Sequence, residues 1–210
     1  MNKNTKNASH PRHERTLVVI KPDGIQRSLI GEIIGRFERV GLKLVGIKMF
    51  VPTADFVKSH YSLDPEQAMK TGTKSIKSYT DKGLKHPLSD DPIVVMADIM
   101  KKLVRYISSG PVVAMVWQGA HTVEIVRKLV GGTEPLAAAD IGTIRGDFAL
   151  DSYRMSDADA RSIRNLIHAS GSVKEAQAEI PFWFKKEEIV DYKLVQEAII
   201  YDVELDGILE

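Results

Sequence analysis

Cysteine is absent from all 210 residues, which removes disulfide staples, thiolate catalysis and cysteine-ligated zinc together. No apolar run approaches the roughly 20 residues of a membrane-spanning helix, and residues 1–15 are polar where a secretory signal needs an apolar stretch. A soluble, cytoplasmic protein with no membrane partner is the expectation. Charge of one sign is scarce as well: the formal net charge is +1, so nothing global draws the chain to nucleic acid, and only a local basic pocket stays open. The glycine-rich patterns G-x-x-x-x-G-K-[ST] and G-x-G-x-x-G are missing, as is H-E-x-x-H. Any bound phosphate must therefore be held by side chains.

With 43% hydrophobic and 27% charged residues, the composition is that of an ordinary globular domain. Residues 16–20 are apolar on both faces, as in a strand covered by helices, and Lys21-Pro22-Asp23-Gly24 reads as a turn. Ile30, Ile33, Ile34 and Phe37 form a helical stripe stopped at Gly41, and residues 42–51 alternate as a second strand. Asp64-Pro65-Glu66-Gln67 is a helix start, but the Lys-, Ser-, Thr- and Gly-rich stretch after it, to about residue 91, reads as a partly helical surface insertion. Beyond it the pattern predicts a helix over 93–107, a central strand over 111–117, a helix over 122–130, a short strand at 148–150 and a helix over 157–167. The capping box Ser172-Val-Lys-Glu175 then starts a last helix running to about Ile180. This order predicts an α/β (α+β) fold of ferredoxin-like βαββαβ type, an antiparallel sheet with helices on one face. Residues 1–14 are expected to be a disordered tail, and 15–210 a single domain with insertions at about 62–98 and 151–161.

Chemistry is most visible in Asn165-Leu-Ile-His-Ala-Ser-Gly-Ser172, which places a histidine at the mouth of a turn that opens a helix. A neutral imidazole is a competent nucleophile near physiological pH, and a helix start offers N–H groups to an anion. Candidate phosphate-holding cations are Lys21 at a strand end, Arg127 near a helix C-terminus, and Arg145 within Gly142-Thr-Ile-Arg-Gly146. Lys supplies a point charge and Arg a planar fork for phosphate oxygens. A single Lys or Arg is usually a solvated surface charge, yet Lys21 and Arg145 lie in glycine-flanked turns, where functional side chains are commonly mounted.

These residues converge on a family. Arg15-Thr-Leu-Val-Val-Ile-Lys-Pro-Asp-Gly-Ile-Gln-Arg27, Gly110-Pro-Val-Val-Ala-Met-Val-Trp117, Gly142-Thr-Ile-Arg-Gly-Asp-Phe148 and Asn165-Leu-Ile-His168 together resemble nucleoside diphosphate kinase, over roughly residues 14–203. The resemblance implies ping-pong transfer of a γ-phosphate from a nucleoside triphosphate to a nucleoside diphosphate through a phosphohistidine, with Mg²⁺ carried mainly by the nucleotide phosphates rather than by protein ligands. His168 would be the nucleophile and Glu179 its orienting carboxylate. Lys21, Tyr61, Arg127, Thr133 and Arg145 would contact the phosphates, Asn165 with Lys21 the ribose hydroxyls, and Ile99 with Leu103 the base. A homo-oligomer, hexamer or tetramer, is implied as well.

The sequence departs from the family in three places. The family commonly has Gly-Ser-Asp-Ser after its histidine, whereas Ala169-Ser-Gly-Ser172 follows here, so the carboxylate at position 171 is lost. An aliphatic Ile99 stands where the family usually carries Phe. The insertion over 62–98, with Lys70, Lys74, Lys77, Lys82 and Lys85, is expected to cover or flank the nucleotide cleft or to be a solvated loop. The rival reading is a catalytically weak or inactive nucleotide-binding regulatory protein on the same fold. A specific nucleic-acid binder is disfavoured, because no aromatic ladder on a basic surface is visible.

Overall fold

The computed structural model describes residues 11–63 and 65–201. Residues 1–10 of the expected tail and Asp64, the expected cap, lie outside the described residues; Pro11–His13 form a 3-10 turn that leads directly into the first strand.

Strand β1 (Glu14–Ile20) is followed by the short helix α1 (Pro22–Gln26), helix α2 (Ile30–Arg39) and strand β2 (Lys43–Phe50). Helices α3 (Ala54–Tyr61), α4 (Pro65–Thr80) and α5 (Pro92–Ile107) then precede strand β3 (Val112–Gly119) and helix α6 (Thr122–Val130). The short helices α7 (Pro135–Ala138), α8 (Ile144–Phe148) and α9 (Tyr153–Ala158) lead to strand β4 (Ile167–Ala169), helix α10 (Val173–Trp183) and the short helix α11 (Glu197–Ile200). The four strands form one antiparallel sheet in the order β2-β3-β1-β4, the ferredoxin-like arrangement.

Period-2 alternation in the two central strands builds both halves of the core. Val18 and Ile20 of β1, with Val113, Met115 and Trp117 of β3, face Ile33 and Phe37 of α2 and Val126 and Val130 of α6. Leu17, Val19, Val112, Ala114 and Val116 point the other way, against Val57 of α3, Tyr106 and Ile107 of α5, and Trp183 of α10. The sheet is therefore covered on both faces rather than one, the second layer being supplied by α3, α5 and α10.

Four local expectations are corrected. Lys21–Gly24 is not a free turn, since Lys21 is the N-cap of α1 and Pro22 its first residue. Residues 148–150 are not a strand: Thr143 caps α8 by accepting the Gly146 N–H, and that helix ends at Phe148. Most consequential, 157–167 is not a helix. Helix α9 stops at Ala158, the chain turns through a left-handed Ala160 (φ 49°), and Asp151 pins residues 161–164 by accepting from Arg161 Nη1 at 2.6 Å and from the Arg164 N–H at 2.7 Å. Ile163, Leu166 and Ile167 mimic a helical stripe, but they are buried without a helix: Leu166 sits at a left-handed bend (φ 67°) and Ile167 pairs with Ile20 in the sheet. Helix α10 also runs past the expected end, through Pro181 to Trp183.

The low-periodicity stretch after Asp64 is regular helix for 16 residues. It needs little apolar surface because it approaches α5 closely at Gly72, where an added Cβ would lie 2.3 Å from the Pro92 carbonyl oxygen.

Candidate active site

All ten residues singled out from the sequence line one cavity of about 430 Å³. They arrive from far-apart positions: Lys21 from the end of β1, Tyr61 from the end of α3, Ile99 and Leu103 one turn apart on α5, Arg127 from α6, and Thr133 from the loop after it. Arg145 comes from α8, Asn165 and His168 from the approach to β4 and from β4 itself, and Glu179 from α10.

His168 is fixed by the sheet. It lies in the middle of β4, directly across from Val19, rather than in the turn expected for it. Its Nε2 is 2.8 Å from Glu179 Oε1, so a neutral imidazole is held with the proton on Nε2 and the lone pair on Nδ1. Glu179 is buried, and its Oε2 accepts from the Ser170 hydroxyl at 2.5 Å. Burial alone would raise its carboxyl pKa; His168, His60 and the Ser170 hydrogen bond more than offset this and hold it below the ordinary carboxylate value. Ser170 is itself pinned, accepting the Leu17 N–H at 3.2 Å.

His60 was not anticipated. The indole N–H of Trp183 donates to its Nδ1 at 3.1 Å, which leaves Nε2 protonated and facing Glu179 Oε1 at 3.6 Å. Burial, and then the neighbouring His168, push its pKa down to about 3, so it stays neutral beside His168. One histidine ahead of Tyr61 carried no periodic or motif signal in the sequence; only the fold joins it to the Glu179 carboxylate.

Two of the three expected cations, Lys21 and Arg145, are buried, whereas Arg127 is exposed. Lys21 donates to Asn165 Oδ1 at 2.6 Å, and Asn165 Nδ2 donates to the Thr133 carbonyl at 2.9 Å. Asn165 is held in place from behind, where Asp23 accepts the Leu166 N–H at 3.2 Å and the Tyr106 hydroxyl on its other oxygen. Arg145 is 4% exposed and donates to four carbonyls: Asn165, Gly131, Gly132 and Ile167. It is a frame for the cavity wall. Tyr61 keeps its hydroxyl proton, since burial and Glu179 raise its pKa. Lys174 and Arg161 line the cavity as further cations not foreseen from the sequence.

Burial and the nearby Arg145 lower Lys21 from 10.5 to about 7. Between about pH 7 and 10.5 the unfolded chain therefore holds a proton that the folded site has released, and this group's contribution to stability rises with pH across that window. A bound polyphosphate reverses the preference by favouring the charged ammonium. Calorimetry of diphosphate binding at about pH 8 in two buffers of different ionisation enthalpy is expected to show proton uptake that fades below about pH 6. Binding without uptake at the higher pH would mean that Lys21 is already charged.

The carboxylate missing at position 171 is replaced from one turn of helix away. Ser172 caps α10 by accepting the Glu175 N–H at 3.1 Å, as a capping box requires, but the Glu175 carboxylate reaches back to the Gly171 N–H, at 2.9 Å, rather than to the Ser172 N–H. Losing a cap of this kind costs about 1 kcal/mol. Glu175→Ala is expected to slow phosphorylation of His168 about fivefold at unchanged nucleotide affinity, and Gly171→Asp in that background to restore the rate. A single-turnover measurement checks both; if Gly171→Asp gives no rescue, the turn is not what Glu175 supports.

Helix α4 does reach the cavity, through Thr71 and Ser75. Lys70, Lys74, Lys77, Lys82 and Lys85 are exposed and line none of it. The insertion thus walls the cleft with small polar side chains, not with its lysines. Among the described residues, His60, His168 and Glu179 form a group whose ligand atoms converge within 4.8 Å. His60 Nδ1 accepts the Trp183 N–H, however, and a metal on Nε2 would put the ring proton on Nδ1, so that a donor would face the indole donor. No oxygen-rich cage for a hard cation accompanies it.

Comparison with known proteins gives one consistent result. The family model described as "Nucleoside diphosphate kinase" matches residues 14–86 and 92–189. A nucleoside diphosphate kinase from Pyrobaculum aerophilum is 44% identical over 181 residues, covering 85% of this chain and 98% of that protein. The crystal structure of an NDP kinase from the same organism superposes with a TM-score of 0.79 at 43% identity, over 85% of this chain and 100% of the other. A Borrelia burgdorferi nucleoside-diphosphate kinase, solved as a transition-state mimic with bound vanadate and ADP, superposes with a TM-score of 0.71 at 39% identity, over 88% and 95% of the two chains. No described helix is long and apolar enough to cross a membrane.

Proposed function

Since the chain belongs to the nucleoside diphosphate kinase family and is a phosphotransferase of that kind, we propose that its transfer runs in two halves through Nδ1 of His168. In the first half, the Nδ1 lone pair attacks the γ-phosphorus of a nucleoside triphosphate; the N–P bond forms, the bond to the bridging oxygen breaks, and nucleoside diphosphate leaves. In the second, a terminal β-phosphate oxygen of an incoming nucleoside diphosphate attacks the phosphohistidine, and the N–P bond breaks. The observation that carries the proposal is the Glu179 contact at Nε2, 2.8 Å. It keeps the attacking nitrogen unprotonated and stabilises the positive imidazole that forms on phosphorylation.

Phosphoryl transfer asks mainly for positioning and charge neutralisation. Lys21, Arg127 and Arg145 supply the cations, Tyr61 a hydroxyl, and Asn165 an amide beside Lys21 for the ribose. The cavity's donor set fits a Mg²⁺ that rides on the nucleotide's own phosphates, where the ion would neutralise and align them. A non-catalytic regulator on this fold rests on Gly171 and Ile99; Glu175 answers the first, and Leu103 one turn from Ile99 adds to the aliphatic surface on which a base can pack. Among the described residues, β2 has no strand partner on one side and exposes Ile47, Met49 and nearby Val51, which supports assembly as a homo-oligomer.

The test is a pulse and chase. Protein incubated with γ-labelled ATP and Mg²⁺ should carry an acid-labile, base-stable phosphate that GDP removes as labelled GTP. Nucleotide binding without label would overturn the relay through His168.

A further inference from the structure

We propose that Asp157 reads the edge of the nucleotide base and gives this enzyme a preference for guanine. The inference rests on the cavity being the nucleotide site, and concerns the end of it that the βαββαβ frame does not build.

Asp157 lies on α9, within the second insertion, and lines the same cavity as His168. Its carboxylate is held where three elements meet. The Tyr79 hydroxyl of α4 donates to Oδ2 at 2.5 Å, and Lys102 of α5 stands 3.9 Å from Oδ1 while paired with Asp98 at 2.7 Å. On α5, Lys102 sits between Ile99 and Leu103, the aliphatic pair assigned to the base. The carboxylate is thus at the Ile99–Leu103 end of the cavity, with its side chain 22% exposed.

An ionised carboxylate only accepts hydrogen bonds. It cannot serve phosphate, and the group it complements is a pair of N–H donors. Tyr79 takes one lone pair of Oδ2, and each oxygen keeps others. Guanine presents N1–H and an amino N–H side by side, the pattern a carboxylate takes in bidentate fashion. Adenine presents a donor next to an acceptor on the same edge, so one contact would be made and one lone pair would face another. Hypoxanthine keeps N1–H and lacks the amino group.

The experiment labels the enzyme on its phosphate and follows dephosphorylation by GDP, IDP and ADP as second-order rates. The same three diphosphates are titrated calorimetrically, which needs no turnover. The wild type is expected to rank GDP over IDP over ADP, with about tenfold between first and last. Asp157→Ala should level the three, and Asp157→Asn, which offers a donor beside an acceptor, should put ADP ahead. Tyr79→Phe keeps the carboxylate and should keep the ranking. Equal rates and equal dissociation constants in the wild type would overturn the proposal, as would an undiminished GDP preference in Asp157→Ala or its loss in Tyr79→Phe. Failure to form labelled enzyme with the calorimetric ranking intact would count against the His168 relay and leave the base reading standing.

Discussion

Replacing His168 by alanine is expected to lower kcat on the order of 10⁴-fold or more and to leave nucleotide affinity within a few-fold of wild type. On the proposed relay, no covalent intermediate could form without the imidazole, and the neighbouring cations could only bind the substrates. Affinity is expected to survive because Lys21 and Arg145, proposed to hold the phosphates, do not need the imidazole for their own positions. Lys21 rests on Asn165, and Arg145 on four backbone carbonyls. Steady-state rates together with calorimetric dissociation constants separate the two effects. A large loss of affinity with a modest change in kcat would mean that His168 is a binding group.

Arg145→Ala is expected to act first on the fold. Removing the guanidinium leaves four carbonyls without their donor in a buried place. Hydrogen bonds to a charged group contribute about 1.5–3 kcal/mol each and do not add fully, so the loss should be about 4 kcal/mol. For a chain of this size that lowers Tm by about 10 °C. Arg145→Lys should recover little, since an ammonium cannot span the Gly131, Gly132, Asn165 and Ile167 carbonyls as a planar fork does. Thermal melts of both variants check this. A raised KM with an unchanged Tm would instead make Arg145 a phosphate ligand alone.

The double role of Arg145 illustrates how much the sequence reveals. Its residue type and glycine-flanked position pointed to the cavity, but nothing along the chain discloses that its donors are spent on the loops that close that cavity. The βαββαβ order was legible because β1 and β3 are apolar on both faces and α2 and α6 carry clean stripes. The fourth strand was not: three residues are too short for alternation to register, and Ile163, Leu166 and Ile167 are spaced as a helix face would be. Glu179 was reached only through the family resemblance, and nothing along the chain pointed to Ser170 as its second partner. His60 was out of reach, because Glu179 and Trp183 meet it only after α3 and α10 pack on the same face of the sheet. The insertion misled by composition, since a helix that packs through a glycine and small polar residues shows no apolar stripe.

His168 is hydrogen-bonded into the sheet's central framework at Val19, whereas Thr71, Ser75 and Asp157 stand on segments added outside that framework. The molecule is consequently divided as a tool is divided into handle and bit. Sequence drift or deliberate grafting in the added segments would retune which substrates are accepted while the proposed bond-making apparatus stays untouched, and a loss of catalytic rate should trace to β4 and α10 rather than to the walls around the base.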